Sequence, residues 1–151
     1  MDVREIRSDE LEKLLSLYKY LHEKDEELPD PDTVTNVWSQ IQSDENIKYF
    51  GLFNGDELIC SCTIIIVPNL SRGCRPYALI ENVVTHRDHR RNGYGRDVLK
   101  AAVEFAWGQN CYKVMLMTGR LNDETFTFYE SAGFDRNTKQ AFVIKRAVKW
   151  T

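Results

Sequence analysis

The segment that most constrains this chain runs from residue 77 to residue 106. There a strand-like run, a glycine turn and a helical pattern follow one another without a break. The run Tyr77–Thr85 is apolar and β-branched apart from Glu81 and Asn82. Arg90, Arg91, Asn92, Gly93, Tyr94 and Gly95 come next, and beyond them Val98, Leu99, Ala102, Phe105 and Ala106 recur at helical spacing. Such a β-turn-α unit is a piece of a mixed α/β domain. The first N–H groups of its helix have no internal partner, and the helix dipole adds positive potential there. That end of the helix is suited to phosphate. Glycine at 93 and 95 is expected to let phosphate oxygens reach the backbone.

Two common phosphate motifs fail on this segment. A dinucleotide fingerprint needs a third glycine where Val98 stands, and a P-loop needs Gly-Lys followed by Ser or Thr. Read alone, the hexapeptide is equally a plain β-to-α turn. His86, Arg87, His89, Arg90, Arg91 and Arg96 form a basic cluster around it. This cluster reads either as an attractor for phosphate or as a solvated turn.

With 151 residues, the chain is expected to form one domain, 1–151, around one core. Its net charge of −3 gives no support to nucleic-acid binding. No apolar run reaches the roughly 18 residues of a membrane span. The start, Met1 to Glu5, lacks a secretory pattern, so a cytoplasmic location is expected. Cys60, Cys62, Cys74 and Cys111 form no C-x-x-C pair, so no metal site is expected. They read as buried, reduced thiols.

The remaining elements follow from pattern. Val3–Arg7 reads as a first strand. Ser8 or Asp9 is positioned to cap a helix carrying Leu11, Leu14, Leu15, Tyr18 and Leu21. Residues 23–32 read as an acidic loop, and Asp32 or Thr33 as the cap of a second helix. Strands are expected at 48–53 and 57–67, joined by an Asn54-Gly55 hairpin. A loop at 68–76 leads into the central unit. A strand at 112–118, a helix at 122–131 ending near Gly133, and a last strand at 140–145 complete the order.

Downstream stand Asn122, Phe128, Tyr129, Gly133 and Phe134. Together with Arg90-x-x-Gly93-x-Gly95, this spacing resembles the GNAT acetyltransferases, which carry acetyl-coenzyme A. Thr125 departs from the usual alanine but is also small. The resemblance runs from about residue 47 to residue 134. The stretch Ile80–Val84 with Cys111-Tyr112-Lys113 is similar to the glucosamine-6-phosphate N-acetyltransferase branch, and also to many bacterial members. The implied fold is α/β (α+β): a central mixed, mostly antiparallel sheet of six to seven strands flanked by about four helices.

The resemblance implies an acetyl-CoA-dependent N-acetyltransferase that acts on a small primary amine by direct transfer in a ternary complex. The alternatives are a protein or peptide N-acetyltransferase and a non-catalytic acetyl-CoA-binding sensor. The chain is compatible with a homodimer. The backbone from Arg91 through Asn92, Gly93, Tyr94 and Gly95 to Arg96 would cradle the pyrophosphate, with Arg90 orienting the loop. Val83, Val84 and Thr85 would pair with the pantetheine arm as an added strand does. The N–H near Val83 is the expected oxyanion donor. Asn122 would bond the pantetheine, cap a helix, or both. Phe128 is expected against the cofactor, and Tyr129 is the candidate general acid, its alternative being a packed aromatic.

Glu81 is the candidate base. Inside an apolar strand its carboxylate is expected to lose part of its hydration, unless it is paired or meets water at a cleft. A structural salt bridge is the competing reading. Asn82 is expected to face the acceptor. The acidic residues 23–27 fall in the loop that covers the acceptor site in the family, but most of them read better as a solvated acidic loop, and Arg72 and Arg75 read equally as partners for an acceptor phosphate or as a solvated loop.

Overall fold

The computed structural model describes residues 1–147. Five strands form one sheet in the order β1 (Asp2–Glu5), β2 (Ile47–Asn54), β3 (Glu57–Val67), β4 (Tyr77–Thr85) and β5 (Val114–Leu116). The first four pair antiparallel, and β4 pairs parallel with β5. The helices are α1 (Leu11–Tyr18), α2 (Pro31–Ser43), α3 (Ser71–Cys74), α4 (Tyr94–Gly108) and α5 (Asp123–Ser131). Among them, α3 is one distorted turn, with Arg72 and Gly73 in left-handed backbone. Over the described residues the chain is thus mixed α/β with one or two strands fewer than the six to seven expected.

Two cores sandwich the sheet. On one face, Val98, Leu99, Ala102 and Ala106 of α4 pack against Phe50, Leu52, Ile64 and Ile80. On the other, Leu14 and Leu17 of α1 and Trp38 of α2 pack against Phe53, Leu58 and Val84. The Trp38 indole N–H donates to the Ser8 carbonyl at 2.9 Å, which ties α2 to the start of α1. The β2–β3 hairpin forms as expected, with Asn54 paired to Glu57 and Gly55 in left-handed backbone.

The helix starts differ from their sequence reading. Neither Ser8 nor Asp9 caps α1. Instead Glu10, almost fully buried, accepts the Arg7 backbone N–H at 2.8 Å and a two-pronged pair from Arg4 at 2.8 and 2.9 Å. Those bonds hold the Glu10 carboxyl at about 2, well below its ordinary 4.5. Asp30, not Asp32 or Thr33, caps α2: it accepts the Thr33 N–H, and Pro31 opens the helix. Proline fits that position because its missing N–H would have had no partner there.

The strand expected at 140–145 does not form within the chain. Phe142, Val143 and Ile144 are 91%, 67% and 99% exposed. The β5 strand is only three residues long and pairs on one side alone, so the sheet ends there. The cysteines divide as well. Cys60, Cys62 and Cys111 are buried, whereas Cys74 is exposed on the α3 turn, contrary to expectation.

Candidate active site

The sheet opens where β4 and β5 part. Their ladder runs only from Ala78 opposite Val114 to Ile80 opposite Leu116. Beyond it β4 continues to Thr85, while the other chain turns away through Met117, Thr118, Gly119 and Arg120. The edge of β4 from Glu81 to Thr85 therefore has no strand beside it on this side. A cleft of about 960 Å³ fills the gap.

At the floor of the cleft, β4 carries one residue too many. Ser61 pairs with Val84 and Thr63 with Glu81, so two steps of β3 oppose three of β4. Asn82 absorbs the extra residue with φ at +53°. Asparagine tolerates that left-handed backbone better than most residues. A bulge of this kind interrupts the ladder and redirects the neighbouring groups. The change is visible in the packing, since Ile80 belongs to the α4 core and Val84 to the α1 core.

The turn Arg90–Gly95 closes one end of the cleft. Gly93 is the N-cap of α4 with φ at +78°, and no side chain caps the helix. The free N–H groups of its first turn lie at the cleft, and the residues present suit a phosphate group. Arg91 is also left-handed, with φ at +65°. Arg90 reaches from the turn to the Thr85 carbonyl at 3.3 Å and to the Tyr20 carbonyl at 3.4 Å, orienting the loop against the end of α1. Asn92 does not line the cleft; its amide donates to the His89 and Arg90 carbonyls and holds the turn together. Arg96 also lies outside the lining. Arg91 pairs with Glu124 of α5 at 3.2 Å, both side chains exposed.

Gly95 has a reason the sequence did not reveal. It is buried, and a Cβ there would stand 2.8 Å from Phe128 Cζ. The small residue lets α5 lean on the start of α4. Asn122 caps α5 by accepting the Thr125 N–H at 2.9 Å, and it also lines the cleft.

Tyr129 faces the same cleft, half-buried, with its ring 4.9 Å from that of Phe128. Burial pushes its phenol above the ordinary range, while nearby Arg120 pulls it the other way and Glu81 adds to the rise. The phenol therefore holds its proton at neutral pH and is able to donate it. Glu81 lines the cleft but is exposed, so the partial desolvation expected of it does not occur. No ion pair engages it among the described residues.

Of the expected site residues, Glu81, Val83, Val84, Thr85, Arg90, Arg91, Gly93, Tyr94, Gly95, Asn122, Phe128 and Tyr129 converge on this one cleft. Others lie elsewhere. Arg72 and Arg75 sit over the Tyr112 ring at 5.9 and 5.8 Å, away from the lining. Residues 23–27 are exposed and do not reach it. Tyr20, His22, Thr118 and Arg120 do line it and were missed, and His89 lines it too. His89 was noted only as part of a charge cluster, and the loop after β5 carries no pattern that would single out Arg120.

Behind the bulge, the Tyr18 and Thr63 hydroxyls are buried without a well-formed hydrogen bond, and so is Ser61. Tyr18 faces Thr63 and Asn82, and burial pushes its phenol well up. The buried thiols are inert by the same physics: Cys60 is pushed up to about 11, and Cys62 and Cys111 are raised too. No helix among the described residues is long and apolar enough to cross a membrane.

Comparison with known proteins gives a consistent result. The sequence model of the Acetyltransferase (GNAT) family matches residues 8–134. A glucosamine 6-phosphate N-acetyltransferase of Trypanosoma brucei brucei is 30% identical over 83 residues, which is 55% of this chain and 54% of that protein. The matched stretch thus spans about half the length of that relative. An acetyltransferase candidate from Agrobacterium tumefaciens str. C58 has the same fold at a TM-score of 0.90. Its identity is 40%, over 97% of this chain and all of that one. The glucosamine-6-phosphate N-acetyltransferase of Arabidopsis thaliana shares the fold at a TM-score of 0.82, with 18% identity over 95% of this chain and 97% of that one.

Proposed function

This chain belongs to the acetyltransferase (GNAT) family, and on that footing we propose that it transfers the acetyl group of acetyl-CoA directly to the primary amine of a small molecule in a ternary complex. The observation that carries the reading is the open edge of β4. The edge of β4 from Glu81 to Val84 that faces away from β3 runs unpaired by any strand along a cleft that has phosphate-ready N–H groups at one end and a protonated phenol on its wall.

The residues divide the work by position. The N–H groups at the start of α4 hold the pyrophosphate, and Val83, Val84 and Thr85 hold the pantetheine arm along the strand edge. The Val83 N–H, just past the bulge, polarises the thioester carbonyl and stabilises the negative charge that develops on its oxygen. Tyr129 donates a proton to the departing thiolate. Glu81, hydrated at the cleft, takes the proton the amine must lose, directly or through a water. Asn122 bonds the pantetheine while it caps α5, and Phe128 packs beside it.

Because the curated relatives are named for glucosamine 6-phosphate, an amino sugar is the acceptor class to try first. Arg72 and Arg75 do not serve an acceptor phosphate in this chain. Arg120 and Lys145 are cations among the residues that line the cleft, and would be the partners to test for an acceptor phosphate. The test has two arms. Acetyl-CoA at 100 times its dissociation constant should stabilise the fold by about 2.7 kcal/mol; no shift in the unfolding midpoint rejects the donor. Thiol release is then followed over amino sugars, other small amines and lysine peptides. Release with a small amine and none with peptides is expected. Preferential release with peptides reassigns the acceptor, and release with neither leaves a binding domain in place of an enzyme.

A further inference from the structure

We propose that Tyr18 of α1 is a positioning residue for acetyl transfer: acting through Asn82, it fixes the bulge of β4 and so the direction of the Val83 N–H. Tyr18 has this role only if Val83 polarises the thioester, as proposed above. Polar side chains from α1, β2, β3 and β4 meet behind the bulge. Cys60, Cys62 and Ile64 of β3 belong to the α4 core. Side chains alternate along a strand, so Ser61 and Thr63 face α1 instead. Ser61 stands opposite Val84 and Thr63 opposite Glu81, one on each side of the extra residue. Tyr49 of β2 pairs with Thr63 and packs on the α1 core. Tyr18 turns its phenol into this group, facing Thr63, Asn82 and Tyr49.

The group is out of place in an apolar interior. Ser61 is fully buried, Thr63 is 4% exposed, and the hydroxyls of both, with that of Tyr18, are buried without a well-formed hydrogen bond. Hydroxyls held in that state are costly, so packing for stability alone would place apolar side chains here. Among these residues Asn82 is the one that also lines the cleft. Its backbone is left-handed, and conformations of that kind persist where the surroundings hold them. Asn82 stands between Glu81 and Val83, so its placement sets both the base and the oxyanion donor. The Tyr18 phenol, kept protonated by burial, is able to donate to the Asn82 side-chain carbonyl or to accept from its amide. Hydrogen bonds at reacting sites often tighten only when the reactants are bound. The same end of α1 also holds the phosphate turn, because the Tyr20 carbonyl accepts from Arg90 at 3.4 Å. One helix end thus braces the thioester end and the pyrophosphate end of the donor site.

The experiment reads the bound thioester itself. Acetyl-CoA, isotope-labelled at its thioester carbonyl carbon, is bound to the full chain with no amine present, and the carbonyl stretch is followed by infrared difference spectroscopy. Polarisation by the Val83 N–H should lower the frequency below that of free acetyl-CoA. Tyr18→Phe keeps the ring and removes the hydroxyl. It should return the band about halfway or more to the free position, and lower kcat about tenfold or more with the amine found by thiol release. The acetyl-CoA dissociation constant should stay within about twofold, and the unfolding midpoint should not fall, since the hydroxyl lost is a buried one without a well-formed bond. Asn82→Gly keeps the left-handed backbone and removes the amide. It should move the band as far, and adding Tyr18→Phe to it should change nothing further. A lowered midpoint with the wild-type band and kcat makes Tyr18 structural only and overturns the proposal, as does full additivity of the two substitutions. A band shifted in the wild type and unmoved in Tyr18→Phe removes Tyr18 alone. A band unshifted in the wild type removes the Val83 donor, and the role of Tyr18 with it.

Discussion

The Phe128 ring occupies the space that a side chain at Gly95 would need, with Cζ 2.8 Å and Cε2 3.1 Å from the Cβ position. One contact thus ties the start of α4, which faces the phosphate end of the cleft, to the helix that carries Tyr129.

The contact decides the sign of a common stabilising substitution. Alanine in a helix normally gains about 1 kcal/mol over glycine. At position 95 overpacking of about 1–3 kcal/mol opposes it, so Gly95→Ala should lower the thermal midpoint and weaken acetyl-CoA binding. Adding Phe128→Leu should restore much of the stability. A midpoint that rises in Gly95→Ala alone would show that α5 yields freely.

Tyr129→Phe should lower turnover by about 10²-fold or more, with little change in acetyl-CoA affinity. The phenol is raised by burial, so it stays protonated through the ordinary tyrosine range near 10. The rate should therefore show no alkaline limb from this group below about pH 10. An unchanged rate, or a Tyr129-dependent limb near neutrality, removes it from the acid role.

Glu81→Gln separates catalysis from architecture. The side chain is exposed and outside the ion pairs of the described residues. The change in stability should stay within about 0.5 kcal/mol, while kcat/KM for the amine falls about tenfold or more at neutral pH. Equal activity in the variant would leave deprotonation of the amine to water.

Glu10 sets an acid limit on the fold. Its carboxyl lies at about 2 in the folded chain against an ordinary 4.5. The folded state binds the proton more weakly, so the stabilisation is complete above about 4.5 and is lost as pH falls toward 2. The difference corresponds to about 3 kcal/mol. Urea unfolding of the wild type and Glu10→Gln should diverge most above pH 5 and converge in acid. A gap that does not change with pH would assign the loss to packing.

Much of this was legible in the sequence. Glycines 93 and 95 after a β-branched run marked the turn between β4 and α4, and Asn122 to Phe134 marked α5 and the cleft wall beside it. The failures have particular causes. The bulge at Asn82 adds a single residue, which a two-residue alternation cannot register when both faces of the strand are apolar. The segment 140–145 has the residues of a strand, but alternation says only that a residue fits a pleat, not that an edge lies within reach. Arg72 and Arg75 were placed by loop proximity in sequence. The fold instead turns that loop toward Tyr112, at the end of β4 remote from the turn. Asn92 has the chemistry of a ligand contact, yet it spends its amide on the loop's own carbonyls.

One further consequence follows from the bulge. Because of it, a single strand answers to two separately packed interiors: Ile80 is gripped from the α4 side and Val84 from the α1 side, four residues apart. The reactive stretch lies between these two residues. Substitutions deep in either interior, far from any substrate, therefore shift the same few backbone atoms. The inheritable tuning of this protein's selectivity need not be written in the residues that touch the acceptor.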